Sequence, residues 1–231
     1  MKNLNKYTLA FMISMLTLVS CNKWDEYKNF IPDGAKVYPG VDTSIVYQAG
    51  FNRALLAWRA SPDQRVAKYA VYWNNKLDSL VFNATSHNPK DTVKAMIENL
   101  PEGFYTFIIH SLDQKGNKSV PVEKNNVRIY GNIYQKLLLN RDLKEVNYNP
   151  DNQAVTIRFN LPNEGNVYTE LSYTGLDNSA VKVKVLPDDS IININDRKKG
   201  TKIYYQSFYK PVPLVIDLFG TLTQDSIVIA D

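Results

Sequence analysis

Cys21 is the side chain whose type and position together point most directly to a reaction. It is the only cysteine in a chain of 231 residues, which excludes an intrachain disulfide and a multi-thiolate metal site. A thiolate is the strongest side-chain nucleophile for making a thioether bond. An apolar residue and two small residues, Leu18, Val19 and Ser20, directly precede Cys21. These neighbours indicate which reaction the thiol serves.

The residues before Cys21 have the layout of a secretory signal. Two lysines form a positive start, and the apolar run Tyr7–Val19 is shorter than the ~20 residues that a spanning helix needs. The ending L-V-S-C resembles the bacterial lipobox, which implies cleavage between Ser20 and Cys21 and a diacylglycerol on the Cys21 thiol. Two or three acyl chains would anchor the protein stably. The alternative is a plain secretory signal with an incidental cysteine.

Histidines and acidic residues show no spacing typical of a metal or catalytic site. His87 lies in a predicted loop and His110 is expected to face outward on a strand, and the two do not form a zinc-binding motif. There is no nucleophile elbow and no phosphate-binding glycine loop. Asp188-Asp189 fits a solvated β-turn better than a calcium site. The sequence therefore predicts a protein without enzymatic activity, catalytic residues, bound metal or cofactor.

The aromatic residues suggest a binding function instead. The chain contains 15 Tyr, 9 Phe and 3 Trp, and sugar rings stack their C–H faces on aromatic rings beside amide or carboxylate groups. Most of these rings are expected in the core, because a sandwich buries one face of each strand. Tyr72 is predicted to point outward, and Asn74-Asn75 follow it, so Tyr72 is the candidate ligand-binding residue. Exposed tyrosines also occur on strands because of their β-propensity alone.

Four hydroxyl residues follow an aspartate and precede an apolar residue. They are Ser79, Thr92, Ser190 and Ser226. This pattern resembles the O-glycosylation acceptor of Bacteroidetes surface proteins, which implies a modification at these positions. An aspartate in a turn before a strand gives the same pattern, so both interpretations stay open.

Composition and charge limit the partners. With 44% hydrophobic and 22% charged residues the chain is globular in composition, which excludes wholesale disorder. Removal of Lys2 and Lys6 with the signal leaves 25 basic against 23 acidic residues. This balance gives no electrostatic reason to expect binding to nucleic acid or to an anionic membrane surface.

The remaining sequence reads as short strands separated by turn signals, which is typical of β-sandwiches. The predicted strands are 53–59, 69–73, 79–83, 92–97, 105–111, 127–129, 154–159, 168–173, 181–185, 191–194, 202–209 and 227–230. Residues 134–141 fit either a strand or a short helical turn. We therefore predict an all-β protein with a signal (1–20), the lipidated cysteine and a tether (21–35), and two tandem antiparallel β-sandwich domains (36–130 and 131–231).

The first of these domains resembles a fibronectin type III domain. The resemblance rests on a tryptophan of the second strand, an alternating third strand and a Leu-Pro step before a tyrosine: Trp58, Tyr69/Val71/Trp73, Leu100-Pro101 and Tyr105. It implies that the tryptophan is buried and that Tyr105 forms a tyrosine corner. The step from Leu100 to Tyr105 is one residue shorter than usual in that family.

A wider resemblance covers most of residues 21–231. The segments W-D-E-Y-K, I-P-D-G-A-K-V-Y-P-G, N-R-A-L-L-A-W and K-Y-A-V-Y-W-N-N-K-L-D-S-L are similar to a family of Bacteroidetes surface lipoproteins in which this block follows the lipobox. Members have no established activity and are often encoded near outer-membrane systems for polysaccharide uptake. The resemblance implies an outer-membrane location, lipid-anchored and exposed at the cell surface.

Three functions follow in order of preference. The first is non-enzymatic, accessory glycan binding for polysaccharide uptake. The second is a structural or adaptor role in contact with another outer-membrane protein, and the third is a glycan-active enzyme. An exposed aromatic cluster with amide neighbours would favour the first, a contiguous apolar patch the second, and a deep pocket with facing carboxylates the third.

Overall fold

Antiparallel strands make up most of this computed structural model, which describes residues 38–40 and 43–230. The predicted signal, cleavage site, lipidation site and tether, including Ser20 and Cys21, lie outside the described residues. The first seven strands are β1 (Val46–Gly50), β2 (Arg53–Arg59), β3 (Val66–Trp73), β4 (Asp78–Asn83), β5 (Thr92–Ile97), β6 (Gly103–Asp113) and β7 (Val122–Ile129). They are followed by the helix α1 (Asn132–Lys136) and by β8 (Leu143–Asn149), β9 (Ala154–Phe159), β10 (Asn166–Thr174), β11 (Ala180–Val185), β12 (Ile191–Ile194), β13 (Ile203–Tyr209), β14 (Phe219–Gly220) and β15 (Asp225–Ile227).

Strands β1 to β7 form a sandwich of two sheets. One sheet has the order β1-β2-β5 and the other β4-β3-β6-β7. Alternate side chains of both sheets meet in one core, because successive residues of a strand point to opposite faces. Trp58 of β2, Tyr69 of β3 and Phe107 of β6 are among its buried members.

Strands β8 to β15 repeat this arrangement around a second core. The sheets have the orders β12-β9-β8 and β11-β10-β13-β14, with β15 also paired to β13. The core includes Val155, Ile157 and Phe159, the alternating residues of β9 that were predicted to face inward. In both halves the first, second and fifth strands face a sheet built on the third and sixth, which is the fibronectin type III arrangement. The prediction of an all-β fold of antiparallel sandwiches is confirmed.

Some of the sequence predictions need correction. Of the two alternatives for residues 134–141, the short helical turn is present as the end of α1 at Lys136, and an irregular segment follows in place of a strand. The last strand spans Asp225–Ile227 instead of 227–230. Strands β1 and β8 were not predicted, because V-Y-Q-A-G does not alternate and L-K-E-V-N-Y-N is mostly polar, with four polar residues exposed. Both lie at the edge of their sheet, with a neighbouring strand on one side only.

The tyrosine corner forms despite the shortened step from Leu100. The Tyr105 hydroxyl donates a hydrogen bond to the carbonyl oxygen of Pro101 at 2.9 Å. Burial, with a smaller contribution from the charge of Asp78, raises the pKa of Tyr105. The phenol therefore stays protonated, as a hydrogen-bond donor must.

The chain between β13 and β14 connects the two halves. We call residues 211–218 the arm. Within it, Val215 joins the core of the first sandwich, and the backbone N–H of Ile216 donates to the carbonyl of Ala49 at 2.7 Å. At the end of the arm, Phe219 of β14 is buried with its ring centroid 5.9 Å from that of Phe51 and 5.1 Å from that of Tyr134. One strand connection of the second sandwich thus supplies part of the packing of the first.

An ion pair holds the arm in place. The Asp217 carboxylate accepts hydrogen bonds from the backbone N–H of Phe51 at 2.8 Å and from Arg53 Nε at 3.0 Å, and it also contacts the terminal nitrogen of Arg53. The hydrogen bond from Arg53 lowers the pKa of Asp217, and burial opposes it. The charged carboxylate therefore stabilises the folded chain.

Replacing Asp217 by asparagine is expected to lower the free energy of unfolding by about 1 kcal/mol at pH 7, since the pair is partly exposed and screened by solvent. The pKa of Asp217 is lower in the folded state than its usual value of about 4, so this stabilisation is present above about pH 4 and is lost as the pH falls through the folded pKa. Urea unfolding at pH 7 and pH 3 measures the change.

The matched control is Glu145→Gln, which removes an exposed pair to Arg158 with an N–O distance of 3.4 Å. It should change the unfolding midpoint little at either pH. An equal effect of Asp217→Asn at both pH values would show that the charge of the carboxylate does not stabilise the arm.

Candidate functional site

A groove of about 400 Å³ lies at one end of the β4-β3-β6-β7 sheet. The turn between β3 and β4 contributes Asn74, Asn75 and Lys76 to its lining. The start of β6 contributes the rings of Phe104 and Tyr105, and the last residue of β3, Trp73, completes the aromatic part. Three aromatic residues and an amide-rich turn therefore line one groove.

The turn is held in a defined conformation. The backbone N–H of Leu77 donates to the carbonyl of Asn74 at 3.1 Å, and the three successive residues Asn74, Asn75 and Lys76 have φ of 54°, 55° and 66°. Positive φ at both central positions, Asn75 and Lys76, is the signature of a type I′ turn, and here Asn74 before them is left-handed as well. The Asn74 side-chain amide also donates to the Asp78 carboxylate at 3.0 Å.

Phe104 is the exposed ring of the groove. Its relative exposure is 67%, and the guanidinium carbon of Arg128 lies 4.9 Å from its ring centroid. Arg128 is itself paired with Glu102 at 3.4 Å, and the Glu102 carboxylate accepts the backbone N–H of Ile133 at 2.7 Å. A cation supported in this way helps to orient the ring.

The rings of Tyr105 and Trp73 are held by packing against the core of the first sandwich. The rings of Tyr105 and Phe107 lie nearly parallel with centroids 6.0 Å apart. Trp73 packs against the core and lies 6.3 Å from Phe107. Little conformational entropy would be lost at these rings on binding.

This lining is suited to binding. It offers aromatic C–H and π surface, amide donors and acceptors, the hydroxyls of Tyr105 and Thr106, and one ammonium from Lys76. Among the described residues that line the groove there is no carboxylate, imidazole or thiol. The groove can therefore hold a molecule with both apolar faces and hydroxyl groups.

Tyr72, the ligand-binding candidate from the sequence, lies next to the groove. Its neighbours Tyr69 and Val71 are core residues, and it pairs across the sheet with Ile108, which lines the groove. However, Lys118 covers part of its ring: Lys118 Nζ lies 4.8 Å from the ring centroid and donates to the hydroxyl at 3.0 Å. A ligand role for Tyr72 stays a prediction.

His110 and Asp189 take part in contacts of the fold. His110 faces away from the core as expected, but it is buried, because Nδ1 lies 2.9 Å from the carbonyl oxygen of Ser119 and the ring meets Tyr72 edge-on. Asp189 closes a turn through its N–H to the carbonyl of Leu186. Within residues 38–40 and 43–230, no group of three or more His, Cys, Asp or Glu could hold a metal ion.

The four predicted O-glycosylation positions are exposed. They are Ser79, Thr92, Ser190 and Ser226. Each lies at the start of a strand or directly before it, namely β4, β5, β12 and β15. Exposure at strand entry fits both interpretations, and the modification stays a prediction.

Comparison with protein families decides the affiliation of the chain. A family model described as a domain of unknown function, DUF4998, matches residues 21–219. The chain belongs to this family. A search of curated proteins gives no match.

Two solved structures resemble this DUF4998 chain. The FN1–FN3 domains of chicken CNTN1 share 11% identity, with 83% of this chain and 68% of that chain covered and a TM-score of 0.42. A segment of two fibronectin type III domains from chicken tenascin shares 10% identity, with coverage of 81% and 98% and a TM-score of 0.32. At these scores the likeness adds nothing to the strand order described above.

In the second sandwich of the DUF4998 chain, the turn that corresponds to the β3–β4 turn is covered by another segment. There the turn after β10 is covered by the segment before β13: Leu176 N–H donates to the carbonyl of Asp196 at 2.8 Å, and Gly175 forms a β-bridge with Arg197. Tyr204 is the second residue of β13, as Phe104 is of β6, and its exposure is 43%. Tyr204 is therefore a matched control for Phe104.

A second cavity, of about 380 Å³, lies beside the arm. Phe51, Arg53 and Glu98 of the first sandwich line it together with Asp217. The guanidinium of Arg53 and the carboxylate of Asp217 are paired with each other. This cavity therefore leaves fewer polar groups for a ligand than the groove does.

The sequence analysis missed Phe104 and Lys76. A signal for Phe104 was present, because the inward phase of Tyr105 and Phe107 places residue 104 on the outer face of β6. For Lys76 the signal was its position directly after Asn75 in a predicted turn, where glycine is common.

Proposed function

We propose that this DUF4998 protein is a non-catalytic bacterial surface lipoprotein that binds glycans through the groove. The observation that carries the proposal is that Phe104, with its exposed ring, lines the same groove as Asn74 and Asn75. The feature expected of a glycan-binding protein was an exposed aromatic cluster with amide neighbours, and the groove has one exposed ring, Phe104, beside two partly buried aromatic residues, Trp73 and Tyr105. A sugar can place its C–H face on such a ring while its hydroxyls bond to the amides.

The form of the groove favours part of a long glycan over a small enclosed ligand. Its lining is a turn and the first residues of a strand, and the Phe104 ring is two-thirds exposed. Sites for small molecules usually bury most of the ligand surface. A polysaccharide chain can bind with only a few of its units in contact with the protein.

The proposed location rests on the sequence alone. The L-V-S-C ending and Cys21 support lipidation, and the resemblance to surface lipoproteins supports the outer membrane and an accessory role in polysaccharide uptake. Membrane attachment would then occur through acyl chains. Among the described residues no helix has the length and hydropathy of a membrane span.

Replacing Phe104 by alanine is expected to weaken glycan binding about tenfold, because stacking on one ring contributes on the order of 1–2 kcal/mol. The ring is exposed, so the thermal midpoint should change little. The measurement is a glycan-array screen of the chain from Asn22 onward, followed by calorimetric titration of the best ligand. Tyr204→Ala is the control and should bind as the wild type does.

Equal affinities of Phe104→Ala and the wild type would show that the groove is not the glycan site. A loss of affinity in both variants would point to the second sandwich or to a general effect on the fold. If no glycan on the array binds the wild type, the proposal of glycan binding is wrong.

An apolar surface near α1 favours the adaptor role as the second candidate. Leu137, Leu139 and Leu222 have exposures of 74%, 66% and 59%. They lie on neighbouring segments, since Asn140 is hydrogen-bonded to the carbonyl of Thr223 at 2.9 Å. Co-purification of another outer-membrane protein that is lost in Leu137→Lys and kept in Phe104→Ala would favour this function.

A further inference from the structure

We infer that the groove selects acidic glycans, those that carry a carboxylate or a sulfate, and that Lys76 recognises the negative charge. The inference rests on the proposed function, because it names the class of glycan that the same groove takes. Two independent observations support it: the backbone conformation of Lys76 and the surroundings of its ammonium group.

The backbone of Lys76 is in a conformation that disfavours lysine. Lys76 is the second central residue of the type I′ turn, with φ of 66°. The preferred pair in such turns is Asn-Gly, since glycine adopts positive φ without steric cost and a side chain does not. Asn75 follows this preference and Lys76 does not. A strained residue that lines a cavity points to a function for its side chain.

The ammonium group of Lys76 has no structural role in the fold. Within the described part of the chain it takes part in no ion pair and no hydrogen bond, and it is exposed. Of the neighbouring charged groups, Arg128 is paired with Glu102, whereas Asp78 accepts a hydrogen bond from the neutral amide of Asn74 and keeps its negative charge outside the lining. Among the described residues in the lining of the groove, Lys76 is the one with a charged side chain.

An anionic sugar would satisfy this charge without leaving the aromatic surface. Its ring can lie on Phe104 while a carboxylate or sulfate oxygen accepts a hydrogen bond from Lys76 Nζ. Hydrogen bonds between charged groups are shorter and stronger than neutral ones. A neutral glycan of the same length would keep the stacking and lose this contact.

The test uses the chain from Asn22 onward and three ligands of equal length: an oligogalacturonate, a sulfated oligogalactose and a neutral oligogalactose. The wild type is expected to bind at least one acidic ligand about tenfold more tightly than the neutral one. Lys76→Gly should bind all three at the neutral level and should melt roughly 2–4 °C higher, because glycine relieves the turn. Lys115→Gln, in the exposed turn between β6 and β7, is the control and should keep the preference.

The outcomes separate this inference from the proposed function. If the wild type binds neutral and acidic ligands equally, or if Lys76→Gly keeps the preference, charge recognition by Lys76 is wrong while glycan binding stands. A lower melting point of Lys76→Gly would assign the lysine a structural role and would also overturn the inference. If none of the three ligands and no array glycan binds, both proposals fall.

Discussion

Replacing Trp58 by alanine is expected to lower the free energy of unfolding by about 3–5 kcal/mol, the usual cost of removing a large buried aromatic side chain. Trp58 is 2% exposed, and its ring centroid lies 5.5 Å from that of Tyr69 in an edge-on contact and 6.2 Å from that of Phe82. Domains are stable by only about 5–15 kcal/mol. Urea unfolding followed by circular dichroism measures the loss.

Trp58→Phe is the matched variant. It keeps an aromatic ring and removes the indole N–H, which is buried without a hydrogen-bond partner in the described residues. Its cost should be clearly smaller than that of alanine, because part of the volume remains and no buried donor is left. An unchanged unfolding curve for Trp58→Ala would contradict the packing of the first core.

Replacing Cys21 by serine is expected to abolish lipid attachment, because a hydroxyl is too weak a nucleophile for the thioether step. The protein should then be found as a precursor or in the soluble fraction. Metabolic labelling with a fatty-acid analogue, followed by membrane fractionation, measures both effects. Ser20→Ala keeps a small residue before the cysteine and should remain labelled.

Label that persists in Cys21→Ser would contradict the assignment of a lipoprotein. Equal membrane association of the two variants without any label would indicate that another segment or a partner holds the protein at the membrane. Both residues lie outside the described part of the chain, so this prediction depends on the sequence alone.

Alternation along single strands made much of the fold predictable. The bounds of β2, β5, β9 and β12 agree with the sequence prediction to the residue. The inward faces follow as well: Trp58 and Tyr69 are buried together in the first core, as their phase required. Local patterns suffice here because each of these strands packs one face against a core.

Long-range packing was not predictable from such patterns. Val212–Phe219 was visible as a short apolar run, but nothing local indicates that Val215 enters a core more than eighty residues away along the chain. The helix α1 likewise depends on the Glu102 carboxylate, which binds the N–H groups of Ile133 and Tyr134. Contacts of this kind depend on tertiary structure and leave no period in the sequence.

The candidate site shows the same division. Strand phase pointed to the outer face at Tyr72, and the groove does lie beside that residue. Phase alone did not show that Lys118, distant in sequence, covers part of the Tyr72 ring. It also did not show that the first residues of β6 meet the β3–β4 turn, because this depends on the pairing of β3 with β6.

The most direct test of glycan binding in the groove is a map of amide chemical-shift changes. The isotope-labelled chain from Asn22 onward would be titrated with the best glycan from the array. The proposal predicts that the largest changes fall on residues 74–76 and 103–106, while amides around Tyr204 and in the arm stay unchanged. Changes centred on the arm or on the second sandwich, with residues 74–76 and 103–106 unaffected, would contradict it.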